Sequence, residues 1–129
     1  MKQLLCISSI ADGTPAREIA RIAATSRRFN QTAAITGTLV FDGASFCHYL
    51  EGPDPALEAL LSRLAADPRH ERFAVLFEAR IEARRFDLWR MGYALPETQA
   101  VRLDELRKLS GEAALQQWLL WLPSFELGD

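Results

Sequence analysis

Phe46-Cys47-His48-Tyr49-Leu50-Glu51-Gly52-Pro53 is the stretch on which the reading of this chain turns. Its apolar and aromatic run suits a strand, and Gly52-Pro53 ends that strand and turns the chain. Just upstream, Asp42-Gly43 is a hairpin dipeptide, so residues 45–51 read as the second arm of a hairpin whose first arm is residues 35–41. Just downstream, Asp54 and Pro55 form a cap-plus-proline helix start, and Leu57, Leu60, Leu61 and Leu64 give residues 54–66 an apolar stripe. Asp67-Pro68 stops that helix.

Further out, residues 3–8 read as a short buried strand closed by Ala11-Asp12-Gly13. Thr14 then offers an N-cap with Pro15 at the first helical position, and Ile19, Ile22, Ala23 and Ser26 share one helical face up to about Asn30. Residues 73–81 make a fourth strand and residues 89–93 a fifth. From Leu103 the tail carries two short helical patterns split near Ser110-Gly111. The order β-α-β-β-α-β predicts an α+β, ferredoxin-like sandwich with an added fifth strand. Right-handed crossovers put both main helices on one face of the sheet. The tail helices, with Leu115, Trp118, Leu119 and Leu122, are the expected cover for the second face.

In that topology the first and third strands are central neighbours, and both are apolar on both sides, which predicts burial from two faces. Cys6 and His48 then lie on adjacent strands, although sequence does not fix their register. If both point toward the helices, the groove between helices 15–29 and 54–66 becomes the place to look for a ligand.

At 129 residues the chain is long enough for one real core and too short for two. Its 25% charged and 49% apolar residues fit a soluble globular protein, and a net charge of −2 gives no nucleic-acid footprint. No apolar stretch nears the roughly 20 residues of a membrane span. The start, Met1-Lys2-Gln3-Leu4-Leu5-Cys6, reads as no signal peptide, so a cytoplasmic location and two free thiols are the expectation.

Ser26-Arg27-Arg28-Phe29-Asn30, Ile35-Thr36-Gly37, the Phe46–Pro53 stretch, Arg84-Arg85-Phe86 and Trp89-Arg90-Met91 follow one another in an order and spacing that resembles the BLUF family, flavin-binding blue-light sensor domains. The resemblance covers about residues 2–95, which suggests a domain over 1–95 and a C-terminal helical extension over 96–129 packed on it. It implies FAD, or FMN, held between the two helices, with Ser26, Asn30, His48, Asp67, Arg69 and His70 as cofactor-binding candidates. The family's strand-one tyrosine and strand-three glutamine, which run its photochemistry, fall here on Cys6 and His48. Trp89 and Met91 match the family's fifth-strand pair, whose position in or out of the flavin pocket is linked to signalling.

Each candidate also has a structural reading. Asn30 suits a helix C-cap, since Asn tolerates the left-handed conformation. Asp67, Arg69 and His70 suit a polar turn. Trp89 with Met91 suits an aromatic–thioether core contact. Arg84 and Arg85 read as loop and surface charges outside the site. In the family the tyrosine donates an electron and the glutamine amide rearranges its hydrogen bonds. Cysteine is shorter with a weak S–H donor, and a histidine lacks the amide's paired carbonyl and NH2. The family's light cycle is therefore expected to be atypical or absent.

A flavin-binding, light-sensor-type regulatory domain is the leading expectation, acting through an unknown effector protein or a homo-oligomer. The alternatives are a flavin-free interaction module and a small thiol enzyme in which His48 activates Cys6. No metal is expected, because alternation sends Cys47 and His48 to opposite faces.

Overall fold

The computed structural model describes residues 1–94 and 102–127. The chain runs β1 (Lys2–Ile10), α1 (Ala16–Thr32), β2 (Thr36–Phe41), β3 (Ser45–Gly52), α2 (Asp54–Ala66), β4 (His70–Arg80) and β5 (Trp89–Ala94). A 3-10 helix (Leu103–Lys108), α3 (Glu112–Trp121), a 3-10 turn (Leu122–Ser124) and β6 (Phe125–Leu127) complete it. The strands form one sheet in the order β4-β1-β3-β2-β5-β6. β1 pairs antiparallel with β3 and β4, and β5 lies parallel to β2. This is the expected α+β, ferredoxin-like arrangement with a fifth strand.

All eight residues of β3 are buried, so alternation divides it between two cores. Leu4, Cys6, Leu39, Phe46, Leu50, Trp89 and Met91 pack with Ile22 of α1 and Leu57, Leu60 and Leu64 of α2. Leu5, Ile7, Val40, Cys47 and Tyr49 face the other way, onto Leu103, Leu106, Leu115 and Trp118. The tail thus covers the second face, as its apolar spacing predicts. Tyr49 stacks on Trp118 with ring centroids 4.8 Å apart, an offset-stacking distance. The proposed boundary at residues 95/96 lies outside the described residues.

Several local expectations are corrected. Thr14 does not cap α1: its hydroxyl donates to the Ala11 carbonyl at 2.6 Å, closing the turn after β1, and Pro15 takes the cap position. Pro53, rather than Asp54, precedes α2, and the Asp54 carboxylate accepts from Arg80 at 2.7 Å instead of from its own helix. α1 continues two residues past Asn30, which excludes Asn30 as the C-cap. β4 begins at His70, three residues before the expected start, because its pairing with β1 slips twice and takes up extra residues. Arg72, with φ of 53°, sits in the first slip. β6 is an addition that a three-residue apolar pattern could not announce.

The hairpin turn follows the Asp42-Gly43 reading. One Asp42 oxygen accepts from the Ala44 and Ser45 amides and the other from Leu103, so the turn also anchors the tail. Gly37 has φ of 135°, and a Cβ there would lie 1.9 Å from the Tyr49 carbonyl oxygen. Gly43 has φ of 98° with nothing within 4 Å. Both lie where side chains are strained, and only Gly37 adds a backbone clash. Gly43→Ala should therefore cost about 1–3 kcal/mol of strain, and Gly37→Ala distinctly more. Thermal unfolding should show Gly37→Ala with the lower midpoint; equal midpoints would refute the close β2–β3 approach.

Candidate functional site

Cys6 and His48 are direct partners in the β1–β3 register. Both face α1 and α2, since their strand neighbours two residues away pack in the helix-side core. His70 joins them from the start of β4. Its Nδ1 lies 2.8 Å from Ser8 Oγ, its ring 6.0 Å from that of His48 and 4.9 Å from that of Phe46. The strand slips place His70 here, opposite Ile10, in a buried position rather than a polar turn.

Burial lowers the His48 pKa to about 3, with His70 adding to the shift, and it raises the Cys6 thiol to about 12. His70 is also lowered, first by burial, with Asp67 opposing and Arg69 reinforcing. All three groups are neutral near pH 7. Burial disfavours both charges of a thiolate–imidazolium pair, which weakens the ground for the thiol-enzyme reading. Cys47 lies on the opposite face from His48, fully buried.

Polar atoms on the helix side are left without protein partners. Asn30 Oδ1, His48 Nε2, His70 Nε2 and Trp89 Nε1 are all buried and unbonded. His70 Nε2 is 4.0 Å from Asp67, beyond hydrogen-bond reach. On the tail side Thr38 Oγ1 and Trp118 Nε1 share this condition. Each such group typically costs about 1–3 kcal/mol unless something satisfies it. Trp89 and Met91 both face the helices, so the fifth-strand pair lies on the candidate-site side of the sheet.

Between α1 and α2 lies a groove lined by Ile22, Ser26, Phe29, Leu60, Arg63, Leu64, Asp67, Arg69 and His70. It brings Ser26, Asp67, Arg69 and His70 together as expected. Its volume of about 60 Å³ corrects the expectation of a flavin-sized cleft, because Phe29 and the two leucines fill it. Small-molecule pockets run from about 300 Å³ upward. Asn30 and Trp89 line a separate, larger recess of about 350 Å³ beside residues 84–89. Arg69 forks onto Asp67 at 2.8 and 3.0 Å. The residue set fits a flavin chemically, offering donors and acceptors of both kinds, while the groove must widen to take a ring.

The buried position of Glu51 was not expected from the sequence. The fully buried Glu51 carboxylate accepts from the Arg85 and Phe86 amides at 2.7 and 2.9 Å and from the Tyr49 hydroxyl at 3.1 Å. Arg84 donates to the Ala34 carbonyl and to Thr36 Oγ1, both at 2.8 Å. Arg84 and Arg85 are exposed loop charges, as expected, and their hydrogen bonds also tie the loop to the sheet. An acid beside a strand-ending Gly-Pro was the available signal.

The buried histidines set a pH dependence. A folded pKa below the unfolded value near 6.5 means the unfolded chain binds more protons, so stability is complete above pH 6.5 and falls as pH drops. Each fully shifted histidine contributes up to about 1.4 kcal/mol per pH unit. Urea midpoints should fall from pH 6.5 to 5, before the carboxylates titrate, and His48→Gln should flatten that slope. An unchanged slope would contradict a neutral buried His48.

A family model described as "Sensors of blue-light using FAD" matches residues 1–92. The blue light- and temperature-regulated antirepressor BluF of Escherichia coli (strain K12) is 32% identical over 83 residues, 64% of this chain and 21% of the antirepressor. The chain therefore spans about a fifth of that relative's length. The dark-state structure of BlrB, a BLUF protein, superposes with a TM-score of 0.70 at 31% identity, covering 83% of this chain and 81% of BlrB. The photo-activated state of BlsA covers 100% of this chain and 99% of its own with a TM-score of 0.80, and at 21% identity it speaks to fold alone. No helix among the described residues is long and apolar enough to cross a membrane. With the family model spanning β1 to β5, the chain belongs to the BLUF family of blue-light sensors.

Proposed function

We propose that this chain is a flavin-binding regulatory domain in which the family's light-driven switch has been replaced. The observation that carries the reading is the set of buried, unpartnered atoms Asn30 Oδ1, His48 Nε2 and His70 Nε2 on the helix side. A planar ligand with alternating carbonyl and N–H groups would satisfy them. Asn30 and His48 would hold its polar edge, and Ser26, Asp67, Arg69 and His70 would meet its polar chain. A bound flavin, FAD or FMN, would supply visible absorption and redox chemistry. In this reading the domain works in the cytoplasm and signals to an effector protein or a second copy of itself.

Cys6 and His48 decide what the site does with light. The Cys6 thiol is short, neutral and a weak donor. His48 keeps one donor and one acceptor on fixed ring positions, so it orients a neighbour but has no amide whose two ends exchange roles. The 60 Å³ groove favours a second reading, a flavin-free interaction module.

Titration with FAD separates the two. Flavin fluorescence should be quenched saturably, and Asn30→Ala should weaken binding about tenfold, the loss of roughly one hydrogen bond with its buried partner. A colourless protein without saturable binding would overturn the flavin reading in favour of the interaction module.

Restoring the pair tests the switch. Cys6→Tyr and His48→Gln singly should leave photochemistry absent or poor, whereas the double change should give a reversible spectral shift. Such non-additivity marks residues acting as a unit. Tyr in a Cys-sized site costs about 1–3 kcal/mol, so folding is checked first. A folded, flavin-loaded double variant without light response would show that more than these two residues separates the chain from a working sensor.

A further inference from the structure

The recess beside residues 84–89 shares no lining residue with the α1–α2 groove, and its volume of about 350 Å³ suits a small ligand. Its walls are braced. The Arg84 guanidinium donates to the Ala34 carbonyl and to Thr36 Oγ1, both 2.8 Å away, and all three residues line the recess. The Ile35 amide donates to the Asn30 carbonyl at 2.9 Å, and the Gly37 amide donates to the Leu88 carbonyl at 3.0 Å. Ile35 and Trp89 supply buried apolar surface, while Leu88 remains 54% exposed. Two lining residues each carry a buried polar atom with no hydrogen-bond partner among the described residues, the acceptor Asn30 Oδ1 and the donor Trp89 Nε1. Asn30 is 1% exposed and Trp89 6%, so solvent does not make up for either bond.

We infer that this recess is a second small-molecule site, which takes a neutral molecule by the edge of a carboxamide or lactam. Such an edge places an N–H beside a C=O. The N–H donates to Asn30 Oδ1, the C=O accepts from the Trp89 indole, and both buried atoms gain the partner they lack. The apolar body of the ligand then covers Ile35 and Leu88. A charged ligand is disfavoured on the same grounds. Both buried atoms are uncharged, Arg84 is engaged by protein oxygens, and Asp87 is exposed, so nothing inside would balance an ion taken out of water. The site does not depend on a flavin in the α1–α2 groove. An amide oxygen carries two lone pairs, so a recess ligand leaves Asn30 a second position for the flavin edge assigned to it above.

The test is a titration of the purified chain, without added flavin, with nicotinamide as the carboxamide probe and uracil as the lactam probe. Nitrogen–proton spectra follow the indole signals. One indole signal should shift saturably with at least one probe, and it should be the signal that Trp89→Phe removes. The fully N-methylated form of that probe keeps the ring and carbonyl without the N–H, and it should bind roughly tenfold more weakly. The unmethylated probe should lose about as much affinity for Asn30→Leu, with circular dichroism checking the fold. The methylated probes need no variant, so the comparison stands even if Asn30→Leu unfolds. No saturable indole shift with either amide, equal affinity for the methylated form, or undiminished binding to folded Asn30→Leu would each overturn this inference and leave the flavin reading standing.

Discussion

β3 has no solvent-facing side, and the rest of the molecule is arranged by that constraint. A strand buried on both faces must hand alternate residues to two separate cores. His48 goes to the helices, and its neighbour Tyr49 goes to the tail, where it stacks on Trp118. The β1–β3 register then makes Cys6 the direct partner of His48. A shift of one residue would exchange the two cores entirely, and at Gly37 the β2 backbone runs so close to the Tyr49 carbonyl that a Cβ has no room.

The two faces treat polar groups differently. On the tail side, Tyr49 donates toward Gln3 and Glu51, and Glu51 accepts two loop amides, so a buried carboxylate is well satisfied. On the helix side, Asn30, His48, His70 and Trp89 each keep an unbonded polar atom. Thr38 and Trp118 show that the tail side also has such atoms, but its charged group is fully engaged. The helix side combines neutral histidines, an open amide oxygen and a narrow groove. In the reading proposed above, that combination would meet the hydrogen-bonding edge of a planar ring.

Much of this was legible in the chain. Alternation and turn residues fixed the element order, the faces of β1 and β3, and the tail as the second cover, because those features depend on local patterns. The parts that were not legible depend on distant partners. His70 looked like a turn residue, since two slips in the β4 pairing leave no local mark. Thr14 and Asp54 looked like caps, but Ala11 and Arg80 compete for them. Glu51 looked like a strand end, and only the returning 84–86 loop explains its burial. For the site, the residue types at positions 26, 30, 48, 67, 69 and 70 were readable, whereas the narrowness of the groove follows from how Phe29, Leu60 and Leu64 pack.

In the reading proposed above, the Cys6–His48 pair leaves a site suited to flavin but without the family's switch. Light-minus-dark absorption of the flavin-loaded natural sequence tests it most directly. No reversible red shift of the flavin band should follow blue illumination. A reversible shift that decays in the dark would contradict it, because neither a neutral thiol nor a fixed imidazole offers the amide exchange on which that shift depends.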